Sequence, residues 1–203
     1  MKIIAAYSSS SPHNQSGLNT LVWPDSAVVK SGKPIFLPED EKMDISFGIG
    51  AKIHSVGKSI KEKFSYRYFD EIMPMVFFFK QNIAADISYG HTPSECDFVR
   101  DYSVIFGDCI SVEYFKESNN KNLNVTFSPL NSRLSKSNNE SVTVELDNIL
   151  DDLYASVSFS SINNTLKTGD IVAYLFRDIL PVFPETLIKA EFNGKNLIEN
   201  KLK

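Results

Sequence analysis

The chain has 203 residues, 42% of them hydrophobic, and a formal net charge of −4 at pH 7. A chain of this length can bury about 70% of its unfolded surface around one core, so we expect a single domain over residues 1–203. The acidic balance and the absence of a basic stripe argue against nucleic acid and anionic membranes as partners. No apolar run reaches the roughly 18 residues that a membrane span requires.

The cysteines and the opening residues bear on the cellular compartment. Cys96 and Cys109 are too few for a secreted disulfide scaffold, which favours reduced thiols. The opening MKIIAAYSSSS has an apolar run that is too short for a secretory signal. We therefore expect a cytoplasmic protein.

In the first part of the chain, apolar patterning predicts two strands and one helix. The opening MKIIAAY is typical of a strand, and SSSSPHNQSG is typical of a loop. Apolar residues alternate over Ile45–Ile53, which predicts a strand with one buried face and with Ser46 and Gly48 on the other face. Apolar or aromatic residues then recur every four positions over Ile60–Ile72, after a candidate N-cap at Ser59, and predict a helix.

The rest of the chain alternates strand and helix patterns. PMVFFF, SVIFGDCISVEYF, NLNVTFSP and SVTVEL are predicted strands, the second with a turn at Gly107-Asp108. LDNILDDLYASVSFSSIN predicts a helix because its apolar residues share a face. A strand in IVAYLF and a closing hairpin through Asn193-Gly194 follow. The many short, proline-broken strands predict a mainly β protein with a few helices (α+β) and a rolled or folded-over sheet.

Residue chemistry alone gives no catalytic constellation. The sequence lacks a phosphate-binding glycine loop, a Gly-x-Ser-x-Gly elbow and a His-Glu-x-x-His helix. The three histidines, His13, His54 and His91, are far apart and do not have the spacing of metal ligands. Function therefore has to be argued from larger patterns.

Several short motifs follow one another in the order of a known family. They are MKIIA, His13-Asn14, Pro24-Asp25-Ser26-Ala27, KSGKPIFLPE, GKSIKEKFSYRYFDEI, FGDCISVEYF and LKTGDIV. In these motifs the chain resembles the fumarylacetoacetate hydrolase-like family, most closely its short bacterial branch, nearly from end to end. The resemblance implies a fold of twisted, mixed sheets around a central β-roll, and usually a dimer.

The resemblance also implies a chemistry. Enzymes of this family hold Mg²⁺ or a similar ion with three carboxylates and cleave, decarboxylate or isomerise a small keto acid or enol bound to it. Oxygen ligands are what such a hard ion takes, and the bound ion polarises the oxygens of the substrate.

The three ligand positions of the family carry no carboxylate in this chain. The Glu-x-Glu pair of the family falls on Ser46 and Gly48, and the third ligand, an Asp, falls on Phe77. No Asp or Glu lies between Ile45 and Ser59 or between Ile72 and Ala85, so a small error of placement does not restore the ligands. The resemblance thus predicts that the Mg²⁺ site is lost and that the chain uses no metal cofactor.

Other family positions are altered as well. A family lysine falls on Trp23, a second falls near Phe98, and the family's substrate loop is replaced by a stretch with Tyr174 and Arg177. We predict that these four residues and the three former ligand positions surround the degenerate site. An equally open alternative is that the rings are ordinary core.

Two residues remain from the catalytic motifs of the family. His13 survives, but the acidic partner that the family places near it falls on Ser16. Asp101 survives from a Lys-x-Phe-Asp motif. They are the candidate catalytic residues if the chain is active.

Three functions stay open at this point. The first is a catalytically inactive homologue, a pseudoenzyme, that binds a small molecule or regulates a partner as a homodimer or as a heteromer with an active relative. The second is a hydrolase, decarboxylase or isomerase of small keto acids with a rebuilt, metal-independent site at Asp25, His13, Asp101 and Arg177. The third is an unrelated structural or interaction domain. The loss of every ligand favours the first.

Overall fold

The computed structural model describes residues 1–8, 17–38, 42–81, 101–130 and 140–203, except for the side chains of residues 140 and 177–179. Strands dominate this part of the chain. They are β1 (Lys2–Ser8), β2 (Leu18–Pro24), β3 (Val28–Lys30), β4 (Met43–Ile53), β5 (Phe69–Lys80), β6 (Val104–Phe106), β7 (Ile110–Ser111), β8 (Asn122–Pro129), β9 (Glu140–Glu145), β10 (Ile171–Val182), β11 (Thr186–Phe192) and β12 (Lys195–Leu202).

Helices are few in the described ranges. The α-helices there are α1 (Val112–Glu117) and α2 (Ile149–Asn163), and short 3-10 helices lie at Asp25–Ala27 and Glu62–Arg67. None of these helices is long and apolar enough to cross a membrane. The predicted fold class, mainly β with a few helices, is confirmed.

The larger sheet is rolled, and the chain connectivity shows why. Its strands lie in the order β2-β1-β10-β4-β5-β6-β3, with β7 paired to β5. The outermost strands, β2 and β3, are nevertheless joined through Asp25–Ala27 alone. A flat sheet of this order would separate its outer strands by about 29 Å, whereas the connection from the end of β2 to the start of β3 spans at most about 14 Å. The sheet must therefore curl until its edges approach each other, as the predicted β-roll requires.

The inside of the roll is filled by one apolar cluster, here called the roll core. It draws on β1, β2, β5, β6 and β10. Its buried members are Ile3, Ala5, Tyr7, Leu21, Trp23, Ala27, Met73, Met75, Phe77, Phe79, Val104, Ile171, Ala173 and Leu175.

The outside of the roll is covered by the second sheet and by α2. The second sheet is antiparallel, in the order β12-β11-β8-β9. A second apolar cluster, the outer core, includes side chains of β4 and β5, of both sheets and of α2. The β11–β12 hairpin turns at Asn193 (φ 50°) and Gly194 (φ 75°), as predicted, because two positive φ angles suit Asn-Gly in a two-residue hairpin loop.

Three element predictions need correction, and the first two concern β4 and the segment that follows it. The alternating segment does form a strand, β4, but both of its faces are buried, because the roll core lies on one side and the outer core on the other. The helix predicted over Ile60–Ile72 is wrong: a 3-10 helix begins at Glu62, and Phe69 already starts β5 opposite Ile53.

The segment SVIFGDCISVEYF also differs from its prediction. It forms two short strands, β6 and β7, on either side of Gly107-Asp108 and then the helix α1. Ser111 caps this helix, because its hydroxyl accepts a hydrogen bond from the backbone N–H of Tyr114.

Candidate functional site

The three positions to which the resemblance assigns metal ligands lie side by side on the inner face of the roll. Ser46 in β4 is the direct cross-strand neighbour of Phe77 in β5. Gly48 lies opposite Met75 on one side and Leu175 in β10 on the other, and both neighbours belong to the roll core. Pairing of β4 with β5 thus brings Phe77 beside Ser46 and Gly48, although Ser46 and Phe77 are 31 residues apart in the sequence.

Aromatic rings occupy the space beside these positions. Phe77 has no exposed surface and packs against Trp23, with the ring centroids 5.0 Å apart and the planes tilted by 48°. Trp23 also meets Phe79 edge to face at 6.2 Å. Rings at these separations are in the favourable range for aromatic pairs. Where the resemblance implies a ligand carboxylate, this chain therefore has buried aromatic packing.

Gly48 is confined by its neighbours. A Cβ atom built at this position would lie 2.7 Å from the carbonyl oxygen of Tyr174 and 3.1 Å from Cε2 of Phe77. The first distance is shorter than real Cβ contacts, and a backbone oxygen cannot rotate out of the way. The close approach of β10 leaves room for glycine and not for a longer side chain.

Ser46 uses its hydroxyl to hold β10. Ser46 Oγ donates a 2.6 Å hydrogen bond to the carbonyl oxygen of Phe176. That carbonyl lies where the β10–β4 register shifts, between Leu175 and Ile179. Such irregularities leave backbone groups without ladder partners, so the buried hydroxyl satisfies a group that the sheet does not.

These residues do not fit the divalent ion that the resemblance implies. A hard cation needs carboxylate charge, whereas the three positions offer one neutral hydroxyl, a glycine and a ring. Within the part of the chain that the structure describes, no group of three His, Cys, Asp or Glu side chains is placed to hold a metal ion.

The other predicted pocket residues do not all lie on the inner face of the roll. Trp23 lies in the roll core beside Phe77. The ring of Tyr174 lies on the opposite face of β10, where it packs on the outer core and meets Phe176 at 5.9 Å, so only its backbone reaches Gly48. Phe98 and the side chain of Arg177 lie outside the described residues.

The candidate acid-base residues are only partly described. His13 lies outside the described residues. The backbone N–H of Tyr102 donates to the carbonyl oxygen of Ser26 at 3.2 Å, which places the Asp101 segment beside the Asp25 segment. Both carboxylates are exposed to solvent, so this pair does not form a shielded site.

Asp44 is a buried acid that is not among the predicted site residues. It precedes Ser46 by two residues in β4 and is 9% exposed. It lines a cleft of about 530 Å³ together with Lys42, Gln81, Pro181 and Phe183, among others. The period of two that placed Ser46 and Gly48 on one face of the strand extends to position 44, and this signal could have found it.

At the level of sequence, neither a protein-family model nor a curated protein matches this chain. Solved structures do match. A protein from Yersinia pestis CO92 assigned to the fumarylacetoacetate hydrolase family has a TM-score of 0.76 and 16% identity, with 100% of this chain and 92% of that chain covered.

Two further similar structures carry named activities. Fumarylpyruvate hydrolase from Pseudomonas aeruginosa, solved with Mn²⁺ and pyruvate, has a TM-score of 0.73 and 12% identity, over 100% of this chain and 89% of that chain. The 5-carboxymethyl-2-hydroxymuconate delta-isomerase from Mycobacterium smegmatis has a TM-score of 0.69 and 13% identity, over 99% and 78%. At such identities the likeness concerns the fold. This chain therefore has the fumarylacetoacetate hydrolase-like fold that its motifs predict.

Proposed function

We propose that this chain is a divergent, catalytically inactive member of the fumarylacetoacetate hydrolase-like family, a pseudoenzyme that acts by binding. The observation that carries the proposal is the fully buried Phe77, packed on Trp23 beside Ser46 and Gly48. A ring at this place adds about 2 kcal/mol of apolar burial. It also avoids the mutual repulsion of three carboxylates without an ion.

Two kinds of binding are compatible with this role. A small molecule could be taken by the Asp44 cleft, whose volume of about 530 Å³ falls within the usual range of ligand sites. A partner chain is the other option, in a homodimer or in a heteromer with an active relative. We expect neither nucleic acid nor a membrane as the partner, and we propose a cytoplasmic location.

The decisive experiment is a calorimetric titration with Mn²⁺ and with Mg²⁺. We expect no heat of binding in the micromolar range. Neutral ligands alone do not supply the negative charge that offsets the lost hydration of the ion. Fumarylpyruvate hydrolase from Pseudomonas aeruginosa, titrated in parallel, is the positive control.

An assay for turnover of acylpyruvates and oxaloacetate by the same protein distinguishes an inactive homologue from an enzyme with a rebuilt, metal-independent site. Micromolar binding of either ion would overturn the proposal. So would turnover that is lost in His13→Ala, which would favour the metal-independent site instead. Absence of both binding and turnover is the expected result.

A further inference from the structure

Although the chain has no long basic stripe, one stretch of ten residues carries an excess of positive charge. Residues 58–67 hold four cations, Lys58, Lys61, Lys63 and Arg67, and one acid, Glu62, which leaves a local charge of +3. The whole chain has a net charge of −4. All five side chains are exposed. Four of the 21 basic residues of the chain thus lie within ten positions, all of them exposed.

These cations are not neutralised by carboxylates of the described chain. The ion pairs found there are Lys2–Asp170, Lys52–Glu71 and Lys189–Glu199, and none of them uses the four cations. Arg67 instead donates a 3.1 Å hydrogen bond from its Nε to the hydroxyl oxygen of Tyr66. The positive charges therefore remain available to an external acid.

Two aromatic rings lie among the cations. Phe64 is 39% exposed, with the ammonium of Lys63 5.0 Å and the guanidinium of Arg67 4.9 Å from the centre of its ring. Tyr66 is 53% exposed, with the same guanidinium at 5.4 Å. Cations over ring faces are attracted by the rings and help to hold them in place. We call Lys58, Lys61, Lys63, Phe64, Tyr66 and Arg67 the basic–aromatic surface.

The backbone beneath this surface is fixed to α2. Ser161 Oγ accepts from the backbone N–H of Ile60 at 2.8 Å, and Ser158 Oγ donates to the carbonyl oxygen of Ile60 at 2.8 Å. Ser65 is buried and donates to the carbonyl oxygen of Tyr154 at 2.9 Å. A surface held in this way loses little conformational entropy when it binds.

We infer that the basic–aromatic surface docks an acidic segment of a partner protein, with carboxylates against the cations and an apolar side chain against Phe64 and Tyr66. Charge complementarity carries this choice of occupant, and exposed arginine and aromatic side chains are the types enriched at protein interfaces. A nucleic-acid or anionic-membrane partner is disfavoured because the rest of the chain is acidic and would repel a long polyanion. The inference goes beyond the proposed function and does not depend on whether a metal binds.

The test uses the full chain and a labelled synthetic peptide of repeated Glu-Glu-Phe units, followed by fluorescence anisotropy. We expect saturable binding that weakens as salt is added, and no binding of a Lys-Lys-Phe peptide. The variant Lys61→Glu/Lys63→Glu should weaken binding about tenfold or more. The matched control Lys195→Glu/Lys201→Glu changes the net charge equally at exposed sites on β12 and should bind as the wild type does.

Other results would overturn the inference. The first is a failure of the binding test itself, either as equal binding by the two double variants or as no binding by the wild type. The second is tighter binding of single-stranded DNA or of phosphatidylserine vesicles through the same lysines. The third is a concentration-dependent dimer that dissociates in Lys61→Glu/Lys63→Glu, because a second copy of the chain would then be the occupant. The metal titration is unaffected by any of these results, so the proposed function is judged separately.

Discussion

Position 48 has room for glycine but not for the Cβ atom of a larger residue. The Cβ of any residue at position 48 would face the carbonyl oxygen of Tyr174 at 2.7 Å, which belongs to the backbone of β10. Since β10 is hydrogen-bonded to β4 and tied to Ser46 through Phe176, it cannot retreat locally. Gly48 is thus required by the packing around it.

We expect Gly48→Ala to lower the free energy of unfolding by about 1–3 kcal/mol, the usual cost of adding atoms to a packed interior. Chemical denaturation followed by circular dichroism measures this change. The cost should persist in a Phe77→Leu background, because the closer contact is with a backbone oxygen. If Phe77→Leu removed the cost altogether, Phe77 and not β10 would be the confining neighbour, and the expectation would be wrong.

At the residue scale, the sequence assigned three family ligand positions to Ser46, Gly48 and Phe77, but it did not reveal how the space beside them is used. The order of the motifs placed Ser46, Gly48 and Phe77, and strand alternation puts them on one face. The hydrogen bond from Ser46 to Phe176 depends on the register shift in β10, which leaves no trace in the sequence. The side on which the Tyr174 ring lies depends on the same pairing.

At the scale of elements, the clearest failure is the helix predicted over Ile60–Ile72. Its four-residue period is real, but tertiary contacts override it. The backbone of Ile60 is bound on both sides by serine hydroxyls of α2, so its N–H and C=O are not free for helical bonds. From Phe69 onwards the chain is drawn into pairing with β4. Long elements such as β4 and α2 were predictable because a continuous apolar face supports them.

Two adjacent serines of α2 test this explanation. Ser161→Ala removes the acceptor of the Ile60 N–H and the donor to the carbonyl oxygen of Ser158, and should lower the free energy of unfolding by about 1–3 kcal/mol. Ser160→Ala is the control, because within the described chain the buried Ser160 Oγ has no hydrogen-bond partner. Its removal should be neutral or stabilising.

Thermal and chemical denaturation of both variants give the comparison. Equal losses in the two variants would mean that packing of the serine side chains matters, and not the bond to Ile60. A loss confined to Ser160→Ala would contradict the structure at this helix.

At the scale of the whole molecule, the architecture was the most predictable feature. Sixteen per cent identity accompanies a TM-score of 0.76 over the full chain, so few side chains are needed to specify the roll. What they must specify is the pattern of buried strand faces and the short link between β2 and β3. One of the polar contacts that join the two ends of the described chain is formed between the starts of β1 and β10.

That contact is made by Asp170, just before β10. Its side chain is 4% exposed and accepts hydrogen bonds from the backbone N–H of Lys2 at 3.0 Å and from Lys2 Nζ at 2.6 Å. The backbone N–H of Lys167 donates to it at 2.9 Å. Burial alone would raise the pKa of Asp170, but the hydrogen bonds from Lys2 and Lys167 and the charge of Lys2 outweigh burial and lower it.

The lowered pKa predicts how stability depends on pH. As the pH falls, the unfolded chain takes up a proton at this carboxyl first, near its ordinary value of about 3.9. The stabilisation from Asp170 is therefore complete above that value and is lost as the pH falls through the lower pKa of the folded state. Asp170→Asn should lower the free energy of unfolding at neutral pH by about 1.5–3 kcal/mol.

The variant should also flatten the acid limb of the stability curve, because the group that links folding to proton uptake is gone. Urea unfolding of both proteins between neutral pH and about pH 3 measures this slope. Parallel acid limbs would show that Asp170 does not carry the linkage, and that the closure of β1 on β10 does not depend on its charge. A flatter limb together with unchanged neutral stability would contradict the hydrogen bonds from Lys2, since the same contacts produce both effects.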